Sequence, residues 1–97
     1  MISKQTPIFR KWLEDLDYIL AVVIFHNIEK LEKGNFSNCK PVGNGVHEQK
    51  IDFQKGYRLY FTNINDNIIV LLVVGNKSTQ DKDIRKAKEL KEILTES

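Results

Sequence analysis

Residues 68–74, Ile-Ile-Val-Leu-Leu-Val-Val, are apolar at every position. The run is far short of the ~18–20 residues that span a bilayer, and it is dense in β-branched side chains, so it reads as a strand. A strand with both alternating sets of side chains apolar must be covered on both faces, which puts it well inside a sheet. Asn65-Asp66-Asn67 supplies the reversal before it. On the other side of that reversal, residues 57–62 alternate. Leu59 and Phe61 fall on one face, and Arg58, Tyr60 and Thr62 fall on the other. This second strand is expected at the middle of the domain, with its guanidinium and phenol facing outward as a place for an anionic ligand.

The neighbouring segments extend the sheet. Residues 47–53 form a strand of mixed polarity, with Ile51 and Phe53 on one face and Glu48, Lys50 and Asp52 on the other. Gln54-Lys55-Gly56 reads as a three-residue hairpin loop. That turn predicts Phe53 opposite Tyr57, Asp52 opposite Arg58 and Lys50 opposite Tyr60, leaving Lys50 and Arg58 as diagonal neighbours on one face. The same spacing allows an ordinary Asp52–Arg58 ion pair on a solvated sheet, which stabilises little. Residues 37–45, rich in Asn, Pro and Gly, read as a loop. Residues 1–5 are long enough for a short edge strand.

Helices flank this sheet. Thr6-Pro7 is a hydroxyl cap followed by proline at the first helical position, and Phe9, Trp12, Leu13 and Leu16 then make one apolar stripe. Asp17 caps a second helix that buries Leu20, Ala21, Ile24, Ile28 and Leu31 and ends at Gly34-Asn35. The short connection makes the two an antiparallel pair. After Gly75-Asn76-Lys77, Ser78 or Thr79 starts a last helix, with Asp81 placed for a capping contact and Ile84, Ala87, Leu90 and Leu94 as its buried stripe. The expected architecture is a single α+β domain over residues 1–97: two N-terminal helices, an antiparallel β-meander and a C-terminal helix. With the helices on one sheet face, the other is expected to be open and functional.

Fifteen Lys and Arg against 13 Asp and Glu leave a net charge of only +2, so any basic footprint has to be local. Lys77, just past the apolar strand, joins Lys50 and Arg58 at the start of the last helix, where backbone N–H groups attract anions. Three cations around one sheet face suit a phosphate diester. His47 begins the hairpin and is either a half-buried surface histidine or a proton carrier, since imidazole titrates near working pH. His26, mid-helix, reads as structural. Neither histidine has a metal-spaced partner, and Cys39 is the one cysteine, so no zinc site, internal disulfide or cofactor is expected. No signal peptide is visible, which makes a cytoplasmic protein the default.

Several stretches in order carry a resemblance to a known family: Phe9-Arg10-Lys11-Trp12-Leu13, Leu31-Glu32-Lys33-Gly34-Asn35, residues 40–48 (Lys-Pro-Val-Gly-Asn-Gly-Val-His-Glu), residues 56–61 (Gly-Tyr-Arg-Leu-Tyr-Phe) and residues 75–84, beginning Gly-Asn-Lys-Ser. Together they cover nearly the whole chain, which resembles the RelE/ParE superfamily of toxins from type II toxin–antitoxin systems, nearest its HigB-like "addiction module killer protein" branch. The resemblance implies a RelE-like fold and a ribonuclease that cuts messenger RNA, typically on the ribosome, and that a neighbouring antitoxin holds inactive. The antitoxin is expected to be of helix-turn-helix type, with operator DNA reached only through it and no membrane partner. By the same resemblance Arg58 stabilises the scissile phosphate, Lys50 stands where relatives often carry arginine, and Lys77 is the basic residue after the last strand. His47, Tyr60, Ser78 and Gln80 are expected to contact RNA. No tyrosine follows Tyr60, so the C-terminal tyrosine of some RelE toxins has no match here. The chemistry implied is metal-free transesterification, with Lys50 first and His47 second as proton carrier. Rival expectations are a DNA gyrase poison and an inactive antitoxin-binding co-repressor.

Overall fold

A computed structural model describes residues 1–96. Its elements are β1 (Ile2–Gln5), α1 (Pro7–Glu14), α2 (Tyr18–Glu32), β2 (Cys39–Gly43), β3 (Val46–Ile51), β4 (Tyr57–Asn65), β5 (Ile68–Asn76), a 3-10 turn (Lys77–Thr79) and α3 (Gln80–Glu96). The strands form one sheet in the order β1-β5-β4-β3-β2. β2 to β5 make an antiparallel meander, and β1 pairs with β5 in parallel. Among the described residues no helix is long and apolar enough to cross a membrane.

The helix starts form as the capping residues dictate. The Thr6 hydroxyl accepts from Phe9 N at 3.1 Å, and Asp17 Oδ1 accepts from Leu20 N at 2.9 Å. Each such cap contributes about 1 kcal/mol. The Thr6 hydroxyl also donates to Leu72 O at 2.8 Å, tying the start of α1 to β5. Beyond that point, among the described residues, no strand lies on the outer side of β5, because β1 ends at Gln5 opposite Leu71.

Two cores lie on opposite faces of the sheet. On one, Phe9 of α1 and Leu20, Ile24, Ile28 and Leu31 of α2 pack over Ile51, Leu59, Phe61, Ile69, Leu71 and Val74. On the other, Ala87 of α3, with Ile84 and Leu90, packs over Val46, Tyr60, Val70, Leu72 and Val73. A bulge at Leu72 keeps this pattern consistent. Tyr60 pairs with Val73 and Phe61 with Leu71, so Leu72 is the extra residue and the alternation of β5 flips phase there.

Three expectations need correction. The second face is not open: α3 covers most of it, and Tyr60 and Thr62 are buried beneath. The 37–45 segment is not all loop; residues 39–43 form edge strand β2, where Pro41 is tolerated because an edge has no second ladder to complete. The β3–β4 connection is longer than three residues. Gly56 N bonds Phe53 O, and Gln54 and Gly56 take positive φ (50° and 81°). Ile51 therefore pairs with Tyr57, Lys50 with Arg58 and Glu48 with Tyr60. The faces are as expected, but β3 is shifted by two residues.

Candidate active site

The shifted register places Lys50 of β3, Arg58 of β4 and Gly75 of β5 in one cross-strand row. The next row on the same face is Lys40 of β2, Glu48 of β3, Tyr60 of β4 and Val73 of β5. Directly opposed residues share a face, so Lys50 and Arg58 are closer partners than a diagonal pair. Lys50 is exposed, whereas the Arg58 side chain is only 12% exposed.

Glu48 is the hub of this arrangement. Its side chain is 3% exposed, a position where an ionised carboxylate needs partners. Oε2 accepts from the Tyr60 hydroxyl at 3.0 Å and from Gln80 Nε2 at 2.8 Å. Oε1 faces Arg58 Nε at 3.6 Å and the outlying Lys40 Nζ at 3.7 Å. Arg58 Nε is buried and makes no hydrogen bond, so the Glu48 charge is what answers it. The other end of the guanidinium reaches back along the strand: a Cβ at Gly56 would lie 4.0 Å from Arg58 Nη1. Burial, and then the Glu48 hydrogen bond, push the Tyr60 phenol well above its ordinary pKa of 10.0, so it stays a donor.

The start of α3 closes the row. Asn76, and not Ser78 or Thr79, caps the turn, with its Oδ1 accepting from Ser78 N at 2.9 Å. Thr79 Oγ1 donates to Asp83 Oδ2 at 2.5 Å. Asp83 lies directly over Gly75, where a Cβ would come 1.7 Å from its Oδ2. The absent side chain of Gly75 is what lets α3 settle beside Arg58. Just past the row, Lys55, Asn76, Lys77 and Ser78 line a pocket of about 370 Å³.

Arg58, Lys50, Lys77 and Ser78 therefore gather at one end of the sheet. Three other expected contacts lie differently. His47 is on the opposite face, stacked on Phe61 with ring centroids 5.5 Å apart, because odd-numbered residues of β3 face α1 and α2. Tyr60 is fully buried and cannot present its ring to a strand of RNA. Gln80 spends its amide on Glu48. The Asp52–Arg58 ion pair does not form, since Asp52 lies in the connection and Glu48 holds the guanidinium. Sequence reasoning passed over Glu48 and Lys55. Glu48 shares the parity of Lys50, and a five-residue connection would have set it beside Tyr60.

A profile of the family described as phage-derived protein Gp49-like (DUF891) matches residues 11–92. The chain belongs to that family. Gp49-like proteins belong to the RelE/HigB-like toxin superfamily and are associated with toxin–antitoxin systems. This Gp49-like chain is also 44% identical, over 92 residues, to an uncharacterized protein of Haemophilus influenzae, covering 94% of this chain and 93% of that one. No solved structure matches it. The row from Lys50 to Gly75, the Glu48 hub and the Lys55–Lys77 pocket all fall inside the matched segment.

Proposed function

We propose that this Gp49-like protein is the toxin of a type II toxin–antitoxin pair and acts as a messenger-RNA endoribonuclease of the HigB-like branch, working on ribosome-bound message. The observation that carries the reading is the Arg58 guanidinium, held at Nε by a buried carboxylate, at the end of the sheet where Lys55 and Lys77 line a pocket. A phosphate diester bound between that pocket and Arg58 would meet a planar fork, which suits a phosphate better than a point charge does.

The reaction is transesterification within RNA. The 2′-oxygen attacks the adjacent phosphorus, the bond from phosphorus to the 5′-oxygen breaks, and the products are a cyclic phosphate and a 5′-hydroxyl. One proton leaves the 2′-hydroxyl and one reaches the departing oxygen. Arg58 and Lys77 stabilise the extra negative charge on the phosphorane, the term that usually dominates such catalysis. Lys50, opposite Arg58 and exposed, is the group on this face with freedom to carry a proton. His47 is not, since it faces the other core. Glu48, Tyr60 and Gln80 are positioning residues: Glu48 holds the guanidinium, and Tyr60 and Gln80 hold Glu48.

The partner antitoxin is expected to be encoded beside this chain, with messenger RNA and the ribosome as targets. Brief induction followed by primer extension on abundant messages tests the reading. Codon-positioned breaks that vanish in Arg58→Ala support it. Growth arrest with intact messages and DNA-damage signalling would point to gyrase and overturn it.

A further inference from the structure

The rim of β5 beyond Leu72 has features the nuclease reading does not use. β1 stops opposite Leu71, so among the described residues, positions 73–75 have β4 on one side and no strand on the other. An unpaired edge is ordinarily blunted by a covering element or by charge, because it can template another strand. Here it opens into a groove of about 530 Å³ between α1 and α3. Val73 and Val74 form the floor, Ile8 of α1 forms one wall, and Lys82, Arg85 and Lys86 of α3 form the other.

Cations outnumber carboxylates on that wall by three to two. Of the acidic residues lining the groove, Asp83 is turned to the Thr79 hydroxyl, and Glu89 is paired with Lys86 at 3.9 Å. Among the described residues, Lys82 and Arg85 have no carboxylate partner. Ile8, an aliphatic side chain that a helix would normally bury, is 42% exposed. Among the described residues, the groove thus combines a strand edge with no β-partner, an apolar floor and a wall on which Lys82 and Arg85 are unpaired.

We infer that this groove docks an extended, acidic segment of a partner polypeptide, added as a strand to the outer edge of β5. Backbone bonds to β5 would hold the segment. Alternate apolar side chains would rest on Ile8 and Val74, on the α1 face, and the intervening carboxylates would meet Lys82 and Arg85 on the α3 face. A nucleic acid would suit the basic wall but not the strand edge. The groove shares α3 with Gln80, the donor to Glu48, so an occupant seated there touches the helix that helps fix Arg58.

The test is titration of the purified chain with a synthetic peptide of four Glu-Val repeats, followed by amide NMR and hydrogen exchange. The expected result is shifts confined to residues 72–75 and the first turns of α3, with slowed exchange of edge amides of β5. Arg85→Glu, at an exposed position that leaves the fold intact, should weaken the peptide about tenfold. A Lys-Val peptide should not bind. Shifts centred on Lys50, Lys55 and Lys77, unchanged exchange at β5, or equal binding of the two peptides would overturn the inference. None of these readouts depends on RNA cleavage, so the nuclease proposal stands or falls separately.

Discussion

Arg58 Nε lies 3.6 Å from Glu48 Oε1, while Nη1 of the same guanidinium approaches the backbone of Gly56. One charge is thereby held by its inner edge and offered by its outer one. Glu48→Ala would strand the Tyr60 hydroxyl, the Gln80 amide and a buried guanidinium edge together. Removing one member of a buried pair costs about 3–5 kcal/mol, so the variant should unfold at markedly lower urea concentration. Glu48→Ala and Tyr60→Phe should also be non-additive in a double-mutant cycle, because they share a hydrogen bond.

Gly75→Ala tests the seat of α3. The new methyl would fall 1.7 Å from Asp83 Oδ2 and 2.8 Å from Thr79 Oγ1. Overpacking of this kind costs roughly 1–3 kcal/mol. Thermal unfolding should show that loss, and adding Asp83→Ala should recover part of it by clearing the nearer atom.

The Tyr60 phenol supplies a pH dependence. Its folded pKa lies above the unfolded value of 10.0, so the folded state holds the proton more tightly. The resulting stability is complete below about pH 10 and drains away as pH rises toward the folded value. Phenolate absorbance compared between the native protein and Tyr60→Phe should show Tyr60 ionising only along with alkaline unfolding.

Cys39 gives a simpler check. Burial raises its thiol from 9.0 to about 11, which leaves roughly one part in a thousand as thiolate at pH 8. Reaction with a disulfide reagent at pH 8 should be slow in the folded protein and accelerate on denaturation.

Much of this molecule is legible in the chain, and the misses have specific causes. Thr6, Asp17 and Gly34 mark the helix boundaries because capping chemistry is local. β5, apolar at all of residues 68–74, signals cover on both faces, and the stripe Ile84, Ala87 and Leu90 is the natural cover for the second. An open second face contradicts that signal, and tertiary packing follows the signal. The β3–β4 register turns on loop length, which Gln54-Lys55-Gly56 does not fix; two residues of shift bring Glu48 beside Tyr60. His47 shares the parity of Ile51, so alternation alone assigns it to the α1–α2 face. The Gln80–Glu48 bond joins residues 32 positions apart and has no local signature.

Lys55 and Lys77 should behave as backbone contacts in RNA binding. Alanine at either position should weaken single-stranded RNA binding evenly across sequences. Each should also reduce the slope of log affinity against log salt by about 0.7, the share of one phosphate contact. Fluorescence anisotropy across a salt series measures both effects.

The most direct measurement is the end chemistry of RNA cut by the purified protein on ribosome-bound message, with Arg58→Ala and Arg58→Lys alongside. Cyclic phosphate and 5′-hydroxyl ends from the native protein are expected, with no cleavage by Arg58→Ala and partial activity in Arg58→Lys, which keeps the charge and loses the fork. Undiminished cleavage by Arg58→Ala would contradict a phosphate-gripping role for Arg58, and 5′-phosphate ends would contradict attack by the 2′-oxygen.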